Sequence, residues 1–420
     1  VALIALAMGR FVPSQPALVL LVGVAVLALG VTAVEPAAIP LMAMPVLLVA
    51  YRVGGGTVDL SASDAALGVA TLAALVFAPR PFSRELRTVL WLDAAYQFAT
   101  LFTVLANPYA ANVVEWFHAW MLVSGAVLVG WTIASRGYAR LGVSLLLGST
   151  LLLALIALAQ AVVQYLGGDL SPVFVSWPYG MHKNFVGTLL AFGAIIAYAR
   201  PEWLGWRKGR AMMLFWTLSA GLMVTQSRQA ILGLGVALVV VAFRRDPIRR
   251  RSRLIVLAVV PALVLVATLV KDQLENQNQF NSVFTRINWF AETTAFWLQA
   301  PWLGHGLRFW YQPGSQIGYQ PPNVFLEVGA SSGIVGVVAF AVLLVGTLVV
   351  CWRLDPRHGT VAVAVLVSRI VQAQLDLFWV AVQASVPFVI VGICLGVSAR
   401  AAAASEEARL LRIAAGTGSR

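Results

Sequence analysis

The stretch GLMVTQSRQAILGLG, residues 221–235, carries one charge, Arg228, inside an apolar run from Ala211 to Phe243. How that run meets hydrocarbon decides the fold. As one helix its 33 residues would reach roughly 50 Å, too long for a bilayer core of about 30 Å. Both flanks are basic. RPEWLGWRKGR covers 200–210, and RRDPIRRRSR, 244–253, holds six arginines and one aspartate. Such loops stay cytoplasmic, so the run must cross twice. Two short helices with a tight turn at TQSRQ, 225–229, satisfy this. Arg228 then sits at the outer end of a hairpin, not at mid-bilayer.

Working outward, apolar runs of about 17–25 residues, each long enough to span a bilayer, recur along the whole chain. Of its 420 residues 60% are hydrophobic and 11% charged, less than half the charge of a soluble domain. The expected fold is all-α: a polytopic integral membrane protein with about 12 transmembrane helices. Thirteen candidate spans can be drawn, 16–34, 36–51, 60–79, 89–106, 114–134, 141–166, 184–199, 211–225, 229–243, 254–270, 333–352, 360–381 and 384–399; the two closely spaced ones before residue 52 are where the count falls to about 12. Residues 1–270 hold spans with short loops, 271–322 a large external loop, 323–400 further spans and 401–420 a cytoplasmic tail. No cleavable signal is expected, because the first apolar run is followed at once by another. The net charge of +12 follows the positive-inside pattern in short loops, which argues against nucleic-acid binding. Cys351 and Cys394 lie in or beside spans and make neither a disulfide framework nor a CxxC metal motif.

The external loop contains NSVFTRINWFAETTAFWLQAPWLGHG, 281–306. Phe284, Ile287, Phe290, Thr294 and Trp297 share one helical face; Arg286, Asn288, Glu292, Thr293 and Gln299 lie elsewhere around it. This predicts an amphipathic helix on the outer membrane surface, near the Arg228 turn. Asn281 or Ser282 suits its start and Pro301 its end.

Few charges fall outside or at membrane depth. Arg228 at the hydrocarbon edge needs a partner or a function, and Asp376 or Glu327 would serve as the partner. Arg228 with Arg286 makes a guanidinium pair suited to a phosphate or diphosphate, since each binds in bidentate fashion and stays protonated. Lys183 either adds charge to that site or anchors the interface, beside His182. His305 is a candidate base or a plain loop histidine. Asn323 and Glu327, four apart, share a helix face. Asp376, inside a span, pairs or lines a cavity. Arg52 and Arg308, in external stretches, complete the candidate binding residues. No HxxEH set or DxD pair supports a metal, and no cofactor is expected.

TQSRQAILGL, then RINWFAETTAFWLQAPWLGHGLRFW, then NVFLEVGASSGIVGVVAF resembles the O-antigen ligase and polymerase superfamily, over about 211–345. MHKNFVGTLLAF, 181–192, is more weakly similar to that family's G-x-x-N-P-N helix start. The resemblance implies a multi-spanning enzyme of the bacterial inner membrane with a large periplasmic loop. It would transfer glycan from undecaprenyl diphosphate to a lipid or glycan acceptor, of lipid A–core type for a ligase, without a metal. Arg228 and Arg286 match the family's two diphosphate arginines. One departure stands out: where family ligases carry a histidine before the asparagine of the third motif, this chain has Pro322 before Asn323. The base is then His305, His182 or Glu327, or the leaving diphosphate drives the chemistry. A polymerase, a transporter or flippase of lipid-linked or anionic solutes, and a non-enzymatic scaffold are the competing readings. Transporters carry internal repeats, and none is evident.

Overall fold

The computed structural model describes residues 30–53, 60–244 and 282–417. The expected span at 254–270, most of the one at 16–34 and most of the basic loop 244–253 lie outside these residues. So do 271–281 of the external loop, including the expected cap Asn281, and 54–59 of the loop after Arg52.

The described chain is a helical array with one short ribbon. Helix α1 is Ala38–Val46; strand β1, Arg52–Val53, pairs antiparallel with β2, Leu60–Ser61. Then come α2 Ala62–Phe77, α3 Arg84–Ala106 and α4 Ala110–Trp120, which runs through a π-helical turn, Met121–Gly125, into α5 Ala126–Ser135. Next are α6 Ala139–Leu166, α7 Lys183–Ala199, α8 Lys208–Thr225 and α9 Arg228–Phe243. The last are α10 Ser282–Gln299, α11 Val324–Arg353, α12 Pro356–Gln372 and α13 Ala381–Thr417. Among the described residues five helical stretches are long and apolar enough to cross a membrane, and α2, α7 and α9 are shorter apolar helices. These described helices make a multi-pass membrane architecture. The expected span 36–51 is not one continuous helix: α1 has nine residues, too few for a bilayer.

The hairpin at 225–229 is present. Gln226 turns the chain in the left-handed region, with φ 50°, and Arg228 opens α9. The two arms then diverge. Helix α8 packs on α6 and α7, whereas α9 packs on α7 and α12. Elsewhere, α5 and α13 approach closely because Gly130 and Gly392 lie at the crossing. A Cβ on Gly130 would stand 2.1 Å from the Val389 carbonyl oxygen, the small-residue contact that lets membrane helices touch backbone to backbone.

Helix α11 is broken at Gly333, whose φ 64° and ψ −166° are non-helical and open only to glycine. The break frees the carbonyls of Ala330 and Ser331. They accept the backbone N–H groups of His305 and Gly306, each at 2.9 Å, while Ile334 N–H reaches Pro301 at 2.9 Å. The PWLGHG loop is thereby hydrogen-bonded into the start of α11. Backbone groups freed by a break must find such partners in an apolar setting.

Helix α10 exists as expected, but a different face is buried. Thr293 and Phe296 are buried, Trp297 packs on Gly329 of α11, and Ile287 is 52% exposed. The inward stripe runs through Thr293 and Phe296, with Trp289 and Trp297 partly buried, whereas Ile287 and Thr294 of the expected apolar face are exposed. The cause is a protein partner: α10 packs on α11, and the Thr293 hydroxyl donates to the Trp289 carbonyl at 2.6 Å. Hydropathy alone aimed its apolar stripe at lipid.

Candidate functional site

Several helix N-termini gather at one end of the array, and the candidate residues sit on them. Lys183 opens α7 and Arg228 opens α9. Asn323 caps α11: its Oδ1 accepts the N–H groups of Phe325 and Leu326 at 3.0 and 3.1 Å. Its amide also donates to the Gln374 carbonyl at 3.1 Å, and Val324 N–H donates to Ala373 at 2.9 Å. Asn323 therefore ties α11 to the segment between α12 and α13 that carries Asp376. Helix N-termini favour anions, so this end of the bundle is biased toward a negative ligand.

The cations converge there. Lys183 feels the charges of Arg228 and Arg286, and Arg228 that of Arg286. Burial is the main force pulling the Arg286 guanidinium below its ordinary range, with Asp376 opposing it. His182 caps α7, its Nδ1 accepting the Asn184 N–H at 3.2 Å. Its imidazole is held below its ordinary value by burial first; Asp376 works against this, while Lys183 and Arg286 add to it. Asp376 Oδ2 accepts from the Gln229 side chain at 3.3 Å, so the residue after Arg228 reaches this carboxylate. Three cations with one nearby carboxylate leave an excess of positive charge, as a diphosphate requires.

Beside this cluster lies a cavity of about 280 Å³. His182, Asp376, Arg52 and Arg308 line it. Glu327 is set back from it: it is buried, and its Oε1 accepts from Gln320 at 2.8 Å, with Gln320 on the cavity wall. His305 is not on that wall. Its ring stacks on Phe296 with centroids 3.8 Å apart, and Nε2 meets the Phe296 carbonyl at 2.8 Å. Only a protonated nitrogen can make that contact with a carbonyl. A larger groove of about 700 Å³, between α2, α3 and the π-helical turn, is lined mostly by apolar side chains.

One set of polar residues had escaped the sequence reading. Asp64, His118 and Glu115 line the same cavity with Arg308. His118 bridges Asp64 Oδ1 at 2.9 Å and Glu115 Oε2 at 3.1 Å, and Arg308 Nε meets Glu115 Oε2 at 2.5 Å. Asp64 also accepts the N–H and hydroxyl of Ser61, at 2.8 and 2.7 Å, in a capping box at the start of α2. The chain of contacts fastens the loop after α10 to α2 and α4. A signal was available: Glu115 and His118, three apart in an otherwise apolar segment, are costly there without partners. Among the described residues no group of three or more His, Cys, Asp or Glu is arranged to hold a metal ion.

Long apolar helices define a multi-pass membrane protein, and a cluster of cationic side chains lies at one end of them. Residues 213–341, from α8 into α11, match the family model of the O-antigen ligases. The matched segment includes Arg228, Arg286, His305, Asn323 and Glu327. No curated protein matches the chain.

Proposed function

We propose that the protein is a glycosyltransferase that moves a glycan from an undecaprenyl diphosphate carrier onto a lipid or glycan acceptor, at the outer face of the bacterial inner membrane. The observation that carries this reading is the convergence of Lys183, Arg228 and Arg286 beside a polar cavity, within the O-antigen ligase match. Arg228 and Arg286 hold the diphosphate and take up the charge that grows as it leaves. An acceptor hydroxyl attacks the anomeric carbon, and the bond from that carbon to the diphosphate oxygen breaks. Undecaprenyl diphosphate departs with the electron pair, and the sugar centre inverts. Asp376 takes the hydroxyl proton. It faces the cavity, whereas His182 Nδ1 is engaged as a helix cap and His305 Nε2 already carries a proton. This reading gives the hydroxyl proton a destination although Pro322 stands at the family's histidine position.

The decisive experiment mixes purified protein in lipid nanodiscs with undecaprenyl-diphosphate glycan and a panel of acceptors, with and without EDTA. Release of undecaprenyl diphosphate together with glycosylated acceptor, undiminished by EDTA, is the expected result. Product on a lipid acceptor means a ligase; lengthening of the glycan itself means a polymerase. Donor movement across sealed vesicles without transfer would instead make the protein a transporter.

A further inference from the structure

Part of the cavity lining has a different chemistry. Tyr179, Trp310 and Trp379 line the cavity together with Glu115, Arg308 and Gln383. The rings are held in place from behind. Trp379 stacks on Tyr96, with centroids 5.8 Å apart and planes 4° from parallel. Trp310 stands edge-on to Phe309 at 5.1 Å. The Tyr179 hydroxyl accepts the Ala50 N–H at 2.8 Å. Side chains fixed before a ligand arrives cost little ordering on binding.

The charges of this wall are paired, while Arg308 Nη1 has no hydrogen-bond partner among the described residues. Glu115 and Arg308 neutralise each other across 2.5 Å. Gln383 is buried, and its amide oxygen has no hydrogen-bond partner among the described residues. Such an orphan acceptor asks for an explanation, and a hydroxyl donor supplies one. Half-buried aromatic faces beside neutral donors and acceptors match a pyranose, which offers apolar C–H faces and a hydroxyl rim. At about 280 Å³ the space falls at the small end of ligand pockets, which run from about 300 Å³ upward, so it admits one terminal sugar rather than a chain.

We infer that this wall is a subsite for the terminal, uncharged sugar of the acceptor, its ring against Trp310 and Trp379 and its hydroxyls on Gln383 and the Glu115–Arg308 pair. The inference rests on the glycosyltransferase reading, but it concerns a neutral ligand rather than the diphosphate, so the two fail separately.

Saturation-transfer NMR on the full chain in nanodiscs tests it. The probes are the methyl glycosides of glucose, galactose, mannose, rhamnose and N-acetylglucosamine, with glucose 1-phosphate as the anionic comparator. At least one neutral glycoside should bind through its ring protons, and inorganic diphosphate should not displace it. Trp310→Ala and Gln383→Ala should each weaken it by about 5-fold, the size of one aromatic contact or hydrogen bond. Arg228→Ala should leave it intact. Retained thermal unfolding midpoints certify the variants, and Trp310→Phe replaces Trp310→Ala if that variant unfolds. The inference is overturned if no neutral glycoside binds, if glucose 1-phosphate binds more tightly than methyl glucoside, if diphosphate competes, or if folded Trp310 and Gln383 variants bind as wild type does. Glycoside binding in a protein that ignores inorganic diphosphate would refute the donor reading and leave this subsite standing.

Discussion

Replacing Arg286 by alanine removes the member of the cationic cluster that comes from the α10 helix. Its guanidinium turns inward beside Asp376 and is partly buried. Hydrogen bonds to charged groups are worth about 1.5–3 kcal/mol each. A bidentate grip makes two, but Arg286 keeps some solvent contact, and Arg228 and Lys183 remain to share the charge. We therefore assign about 3 kcal/mol to the loss, close to 100-fold in rate at roughly 1.4 kcal/mol per decade. The loss should fall on kcat more than on KM for the donor, because diphosphate charge is greatest as the bond breaks. Arg286→Lys keeps the charge without the fork and should recover about 10-fold. The assay follows radiolabelled glycan transfer by protein in nanodiscs, with thermal unfolding as a fold control. Folded Arg286→Ala protein working within about threefold of wild type would refute the argument, since a loss of about 3 kcal/mol cannot hide in that margin.

Three further outcomes follow from the geometry. In Gly333→Ala a Cβ would stand 2.1 Å from the Trp302 carbonyl oxygen at φ 64°. The variant should lose about 1–3 kcal/mol or more in stability, seen as a lower thermal midpoint and faster proteolysis of the 301–308 loop. Glu115→Gln strips the shared carboxylate from His118 and Arg308, and breaking a buried ionic pair costs about 3–5 kcal/mol; an unchanged midpoint would mean the network is not under load. His182 is held below the ordinary imidazole value of about 6.5, so its contribution is complete above that pH. It is lost as pH falls through the lower folded value, when Nδ1 gains a proton and the cap on Asn184 breaks. Thermal scans from pH 8 to pH 5 should show wild type weakening at the acid end more than His182→Asn, whose amide keeps capping.

The sequence by itself was enough for the membrane character, the hairpin at Thr225–Gln229, the existence of α10 and the O-antigen ligase resemblance. Each is a local matter. Run length against bilayer thickness, basic flanks, and motif order can be counted along a chain. Arg228, Arg286, Lys183 and Asp376 could be singled out because a charge in or near hydrocarbon is conspicuous wherever the chain folds. Their grouping on one side of the membrane was expected too, but its geometry was not. Arg286 lies 58 residues beyond Arg228, and the inward face of α10 depended on Gly329 and its neighbours in α11 rather than on hydropathy. The break at Gly333 was likewise invisible, because it is made tolerable by N–H groups from His305 and Gly306, nearly 30 residues away. The Asp64–His118–Glu115–Arg308 chain draws on α2, α4 and the loop after α10, and each member alone reads as a cap or a stray charge. Burying a charge is affordable only with its partners in place, and those partners are neighbours in space that only the tertiary fold assembles.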